Sequence, residues 1–192
     1  MSTVVVARKG RTVAIASDAL VTFGETRLPA GYEANAKLFK AGGSWFGTVG
    51  STAHTPVLQQ ALASLEPGQL RLDSREAIFD TFVALHPRLK ERFFLNTKEH
   101  DNDPYESSQF SVLVANRHGI FGVESYREVF AFERFWAIGS GRRFALGAMH
   151  AVWPSARGAR EVAAAGVAAG CEFDTSSAGP VRVQTYKLKS KG

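Results

Sequence analysis

The chain has 192 residues, 45% of them hydrophobic and 21% charged, with a formal net charge of +5. That length suits one sizeable domain with a real core, and residues 1–192 are read as a single domain. No run of about 18 apolar residues offers a membrane span, no basic region followed by a long apolar stretch suggests a secretion signal, and a single cysteine, Cys171, excludes an internal disulfide framework and fits a reducing cytoplasm. The basic residues are scattered over Arg8, Lys9 and Arg11, over Arg88, Lys90 and Arg92, over Arg142 and Arg143, and over Lys187, Lys189 and Lys191. Without aromatic interleaving they read as solvated surface rather than as a nucleic-acid interface.

The β-branched runs Thr3–Arg8 and Thr12–Ser17, separated by Lys9-Gly10-Arg11, predict a hairpin, and Asp18 ends its second strand. Gly24, Pro29 and Gly31 predict a loop over Gly24–Gly31. A second hairpin follows from Ala36–Lys40 and Trp45–Val49 around Ala41-Gly42-Gly43-Ser44, closed by Gly50. Helical spacing of Val57, Leu58, Ala61, Leu62 and Leu65 predicts a helix from about Thr52 to Leu65, stopped by Pro67-Gly68. Asp73-Ser74-Arg75-Glu76 is a helix-start signal leading into one apolar face, Ile78, Phe82, Leu85, Leu89 and Phe93, with Pro87 expected to kink or interrupt it. Asn96–Ser108 is polar and predicts an exposed loop.

Strands return at Gln109–Asn116, Ile120–Ser125, Val129–Phe132 and Phe135–Ile138, with Arg117-His118-Gly119 as a tight turn. After Gly139-Ser140-Gly141 come a helix from about Arg143 to Val152 and a second from Ala159 to Gly170. The latter carries Ala159, Ala163, Gly166 and Gly170 roughly along one face, which permits close backbone approach. Val181–Leu188 is the last strand. Hairpin strands imply mainly antiparallel sheets, and segregated blocks of strands and helices imply an α+β fold. A four-layer αββα sandwich of two such sheets buries every apolar face.

Ser2 stands directly behind the initiator Met and ahead of a β-branched run. Removal of Met1 leaves a hydroxyl and a free α-amine on adjacent carbons, a nucleophile with its own base. The histidines offer no substitute: Ser51 lies in no nucleophile elbow that His54 or His150 could serve. No His, Cys and carboxylate set has zinc spacing, so neither metal nor cofactor is expected. Cys171 follows the small-residue helix and is expected to be buried and inert.

Ser2-Thr3-Val4-Val5-Val6 with Val13-Ala14-Ile15-Ala16-Ser17-Asp18, then Ala36-Lys37-Leu38-Phe39, Gly47-Thr48-Val49-Gly50-Ser51-Thr52-Ala53, Ala137-Ile138-Gly139-Ser140-Gly141, Ala159-Arg160-Glu161-Val162-Ala163 and Asp174-Thr175-Ser176-Ser177 occur in this order across essentially the whole chain. Together they resemble the N-terminal-nucleophile hydrolases of the proteasome β-subunit and HslV family. The compact length and the C-terminal Asp-x-x-Ser are most like the β-proteobacterial proteasome homologues. The resemblance implies the Ntn-hydrolase αββα fold and a cytoplasmic endopeptidase. It further implies identical subunits in stacked rings around an inner chamber, an ATP-dependent unfoldase partner and unfolded polypeptide substrates.

It also implies roles. Ser2 is the nucleophile and its α-amine the base. An amine with an ordinary pKa near 8 needs a neighbouring cation to be neutral, and Lys37 is the candidate. Locally, without the resemblance, Lys37 reads rather as a solvent-facing strand lysine. Asp18, locally a turn-initiating residue, would keep Lys37 charged. Gly50 is placed to offer a backbone N–H to an oxyanion, or simply to turn a strand into a helix. Ser140 corresponds to the serine that hydrogen-bonds the α-amine, and is otherwise a helix N-cap. Asp174 and Ser177 correspond to the pair that orients the nucleophile, and are otherwise a polar turn.

This chain departs from the family in having serine where the proteasome has threonine, which removes a rotamer-restricting γ-methyl. If Met1 is retained, Ser2 carries an amide and the site is blocked. That outcome would favour a non-catalytic ring or cage protein. The other alternative is an Ntn amidohydrolase acting on a small amide, for which monomeric behaviour would argue.

Overall fold

The computed structural model describes residues 2–29, 31–32 and 36–189. Met1, on whose removal the sequence reading depends, lies outside them. The order is β1 (Thr3–Lys9), β2 (Thr12–Ser17), β3 (Val21–Phe23), β4 (Thr26–Leu28), β5 (Leu38–Ala41), β6 (Ser44–Thr48), α1 (His54–Ala63) and α2 (Arg75–Arg92). Then follow β7 (Val112–Asn116), β8 (Gly119–Val123), β9 (Val129–Phe132), β10 (Phe135–Gly139), α3 (Arg142–Val152), α4 (Ala159–Phe173) and β11 (Arg182–Lys187).

Two antiparallel sheets form the centre, a four-stranded one in the order β10-β1-β2-β11 and a five-stranded one in the order β5-β6-β7-β8-β9. Alternation fixes which face of each strand is shared. Val4, Val6, Val13 and Ile15 of the first sheet interdigitate with Leu38, Leu113, Ala115 and Ile120 of the second. The intervening residues Val5, Ala7, Ala14 and Ala16 turn outward and are covered by Met149 of α3 and Val162, Ala163 and Val167 of α4. On the far side, Phe46, Val112, Val114 and Phe121 are covered by Leu58 and Leu62 of α1 and Ile78, Phe82 and Leu85 of α2. The result is the predicted αββα sandwich. Both faces of its sheets are buried, so the central strands read as unbroken apolar runs rather than as alternating ones.

One local expectation fails and another is narrowed. The stretch read as a loop from Gly24 contains β4, paired with β3 as Val21↔Leu28, Thr22↔Arg27 and Phe23↔Thr26. Gly24 is the left-handed turn residue of this small hairpin, at φ +59°, rather than the start of irregular chain. Pro87 does not interrupt α2, which continues from Arg75 to Arg92. The carbonyl that Pro87 leaves without its helical donor is that of Val83, four residues earlier; the Arg88 guanidinium donates to the neighbouring Ala84 carbonyl at 3.0 Å.

Candidate functional site

The start of β1 is held by the two strands beside it. Thr3 pairs with Gly139 of β10, and Val4 with Ser17 of β2. Ser2 is 5% exposed and Thr3 fully buried. Close packing here requires glycines. Gly139 has φ +95°, and a Cβ on it would overlap the Ser2 carbonyl oxygen. A Cβ on Gly170 of α4 would lie 2.7 Å from the Thr3 Cγ2. This is the functional content of the small-residue face on α4: it lets the helix close onto the residue after Ser2.

Asp18 follows β2 and is completely buried. Its carboxylate accepts hydrogen bonds from the backbone N–H groups of Thr3 at 3.0 Å, Leu20 at 3.0 Å and Ala178 at 3.3 Å. It also accepts from Lys37 Nζ at 2.8 Å on both oxygens. The Leu20 bond is an Asx-type turn, as the local reading of Asp18 expects, and the same carboxylate also binds the lysine. Lys37 has a side chain only 14% exposed, so it is not a solvent-facing strand lysine. A buried ammonium of this kind needs such a partner.

A second network runs along the opposite flank. Ser140 Oγ donates to Asp174 Oδ2 at 2.7 Å, and Ser177 Oγ donates to the same oxygen at 2.6 Å. Ser177 Oγ also lies 2.7 Å from Thr3 Oγ1. A serine hydroxyl has one proton, and Ser177 gives its proton to the carboxylate. Thr3 must therefore donate to Ser177, and the chain runs Thr3 to Ser177 to Asp174. Ser140 is not the N-cap of α3, a position held by Gly141 without any side-chain bond. With its proton directed at Asp174, the Ser140 oxygen keeps its lone pairs for a donor.

Ser2, Asp18, Lys37 and Gly50 line one cavity of about 650 Å³. Gly50 leaves β6 at φ +110°, a conformation suited to glycine, and its Cα packs on the His54 ring, since a Cβ would lie 2.8 Å from His54 Nδ1. That nitrogen is buried without a hydrogen-bond partner among the described residues. Burial lowers the His54 pKa below its ordinary value, outweighing the opposing effect of the Val49 backbone. Thr48 and Thr55 hydroxyls, 2.8 Å apart, form part of the same wall.

Of the residues singled out from sequence, Ser2, Asp18, Lys37 and Gly50 thus share the cavity, while Ser140, Asp174 and Ser177 form the adjoining network. Cys171 is half-buried rather than fully buried. Burial, with Asp18 adding to it, pushes its thiol pKa up to about 11, so it is a poor nucleophile. Sequence reasoning missed Thr3 and Arg182, and weighed His54 only as a base for Ser51. Thr3 looked like one more β-branched strand residue, and only the pairing of β1 with its neighbours shows that it joins both networks. Among the described residues, no group of three or more His, Cys, Asp or Glu side chains is placed to hold a metal ion. Nor is any helix long and apolar enough to cross a membrane.

No protein-family model and no curated protein matches the chain. Solved structures do. The structure of Thiobacillus denitrificans BPH is similar at a TM-score of 0.89 and 39% identity, over 98% of this chain and 99% of that one. The same protein in complex with epoxomicin gives 0.88 and 38%, over 97% and 99%. Eukaryotic HslV from Trypanosoma brucei gives 0.67 and 22%, over 96% and 99%, and shares the fold.

Proposed function

This chain belongs to the proteasome/HslV family as a β-proteobacterial homologue, and we propose that it is a peptidase subunit whose nucleophile is Ser2, exposed by removal of Met1. The observation that carries this reading is the ion pair of Asp18 and Lys37, hydrogen-bonded to the backbone N–H of the residue after Ser2 and lining the same cavity. A buried, tethered cation beside an N-terminal amine disfavours a second ammonium there, so the amine stays neutral and able to take a proton.

In the proposed reaction the α-amine takes the Ser2 hydroxyl proton as Oγ attacks the peptide carbonyl. The developing oxyanion is met by the Gly50 N–H. The C–N bond breaks as the amine returns its proton to the leaving nitrogen, giving an ester on Ser2. Water, deprotonated by the same amine, then hydrolyses the ester and regenerates the site. Asp18 keeps Lys37 in place, and the Ser140 oxygen accepts a hydrogen bond from the amine. Asp174 and Ser177 hold Thr3 and so orient Ser2. The whole chain acts as one peptidase domain of the cytoplasm. It assembles with identical subunits into stacked rings, and an ATP-dependent unfoldase delivers unfolded polypeptides to the enclosed sites.

Epoxomicin is the ligand of the similar Thiobacillus denitrificans BPH structure. Closing a ring from an epoxyketone needs both a hydroxyl and a free α-amine. Intact mass spectrometry before and after treatment with a peptide epoxyketone is therefore the test. The expected result is a chain lacking Met1 that gains one inhibitor mass, with no gain in Ser2→Ala. A Met1-bearing, unreactive protein purified from its native host would overturn the reading.

A further inference from the structure

The cavity carries a charge that the proposed chemistry does not use. Three of its described lining residues have ionisable, charged side chains, Asp18, Lys37 and Arg182. Asp18 and Lys37 neutralise one another at 2.8 Å. Arg182 remains, and among the described residues no carboxylate pairs with it.

Its position follows from the strand register. Val183 of β11 and Val181 just before it pack toward α3 and α4, whereas Tyr186 of β11 and Leu188 just after it pack between the sheets. Alternation puts Arg182 on the Tyr186 face, turned toward the second sheet. It stands opposite Ser17, the residue before Asp18, at the end of the sandwich where the two sheets open into the cavity. An inward-turned, half-buried guanidinium is an unusual choice for a sheet face otherwise packed with apolar groups. Its planar set of donors suits a carboxylate, and a substrate can supply one.

We propose that Arg182 is a specificity-determining residue that selects peptides bearing an acidic side chain close to the cleaved bond. The lining divides by charge. Val49, Gly50 and the residues leading into α1 contribute only neutral groups. Residues 18–22, Ser176 and Arg182 contribute the wall that carries Arg182, the only net positive charge of the described lining. An Asp or Glu side chain reaching that wall gains a charge-assisted, two-point contact that an amide of the same shape does not.

This inference rests on the cavity being the peptide cleft. The test uses peptides that differ only by an Asp/Asn exchange at each position flanking the cleaved bond. The reading is the Asp-to-Asn ratio of kcat/KM for wild type, Arg182→Gln and Arg182→Lys. The wild type is expected to prefer Asp about tenfold at one position, from a charge-assisted bond at a solvent-accessible cleft. The ratio falls close to one in Arg182→Gln and to an intermediate value in Arg182→Lys, which keeps the charge but not the two-point contact. Being internal to each variant, the ratio does not depend on the yield of folded protein. Ser2-dependent turnover without Asp/Asn discrimination, or a ratio unchanged in Arg182→Gln, overturns the role of Arg182 alone. Absence of Ser2-dependent turnover of either peptide overturns the hydrolase reading and this one with it.

Discussion

Replacing Asp18 with Asn tests whether the carboxylate is the keystone of the site. The Oδ1 oxygen accepts from Thr3 N and Lys37 Nζ, and Oδ2 accepts from Leu20 N, Ala178 N and Lys37 Nζ. An amide in the same place turns one of these oxygens into a donor. In either orientation its NH₂ then faces a backbone N–H and an ammonium. At least two charge-assisted bonds are lost, and a largely buried cation is left without its counter-ion. Breaking a buried pair from one side costs about 3–5 kcal/mol. Lys37 retains some access to cavity water, which favours the lower end, about 3 kcal/mol. For a chain of this size that is a fall in Tm of about 6–12 °C. The converse variant, Lys37→Met, leaves a carboxylate still solvated by three backbone N–H groups and should cost about half as much. The assay is a urea or thermal melt of both variants at one protein concentration, since assembly would shift apparent stability. Equal losses for the two variants, or a loss below about 1 kcal/mol for Asp18→Asn, would refute the reasoning.

Gly170→Ala pushes a methyl to within 2.7 Å of the Thr3 Cγ2. It should destabilise by about 1–3 kcal/mol through overpacking and slow epoxyketone labelling of Ser2 at least tenfold, on the order of a misplaced reacting group. Gly147→Ala, on an open face of α3 with nothing within 4 Å of the new methyl, should instead stabilise by about 0.5–1 kcal/mol and leave labelling unchanged; equal labelling rates in the two variants would contradict the packing argument. The third prediction concerns His54, whose pKa burial lowers in the folded chain. As pH falls through 6.5, the usual histidine value, the unfolded chain takes up the proton first, so stability present above that pH is lost down to the folded-state pKa. Urea melts between pH 7.5 and 5 should show a shallower decline in His54→Phe than in wild type, and parallel declines would exclude His54 as a source.

The strands and helices were legible because their residues are consistent at every scale. The β1–β2 hairpin has β-branched runs on either side of a glycine turn, and α2 has a serine N-cap whose Oγ accepts from Ala77 N at 3.1 Å. What could not be read was anything depending on registration between distant segments. Val21-Thr22-Phe23 and Thr26-Arg27-Leu28 are strand-like in composition. With three residues each, they give too short a pattern to outweigh the Gly24, Pro29 and Gly31 signals around them. His54 could not be recognised as the plate beneath Gly50, because four residues of separation on a turn leading into a helix say nothing about which way a ring points. Arg182 falls in the segment read as the last strand and carries no signal of its own. Its meaning depends on β11 pairing with β2, which sets it beside Ser17 at the edge of the cavity.

Thr3 shows most clearly how the site is built. Its N–H is held by Asp18, its carbonyl accepts from the Asp18 N–H at 3.1 Å, and its hydroxyl donates into the Ser177–Asp174 chain. One residue therefore carries the tension of both networks, and it is the residue covalently next to Ser2. This arrangement bears on the missing γ-methyl. A threonine nucleophile restricts its own side-chain rotamer, and serine gives up that restriction at χ1. The backbone of Ser2 remains clamped through Thr3 on one side and against Gly139 on the other. If Ser2 is the nucleophile proposed, the freedom returned to it is thus a single torsion, not a loosened strand end. On this reasoning, Ser2→Thr should raise the rate of acylation while leaving the Asp18–Lys37 pair and the stability it confers unchanged. A threonine variant that labels more slowly than wild type would mean that the pocket around Ser2 has no room for the methyl, and that the serine is required by packing.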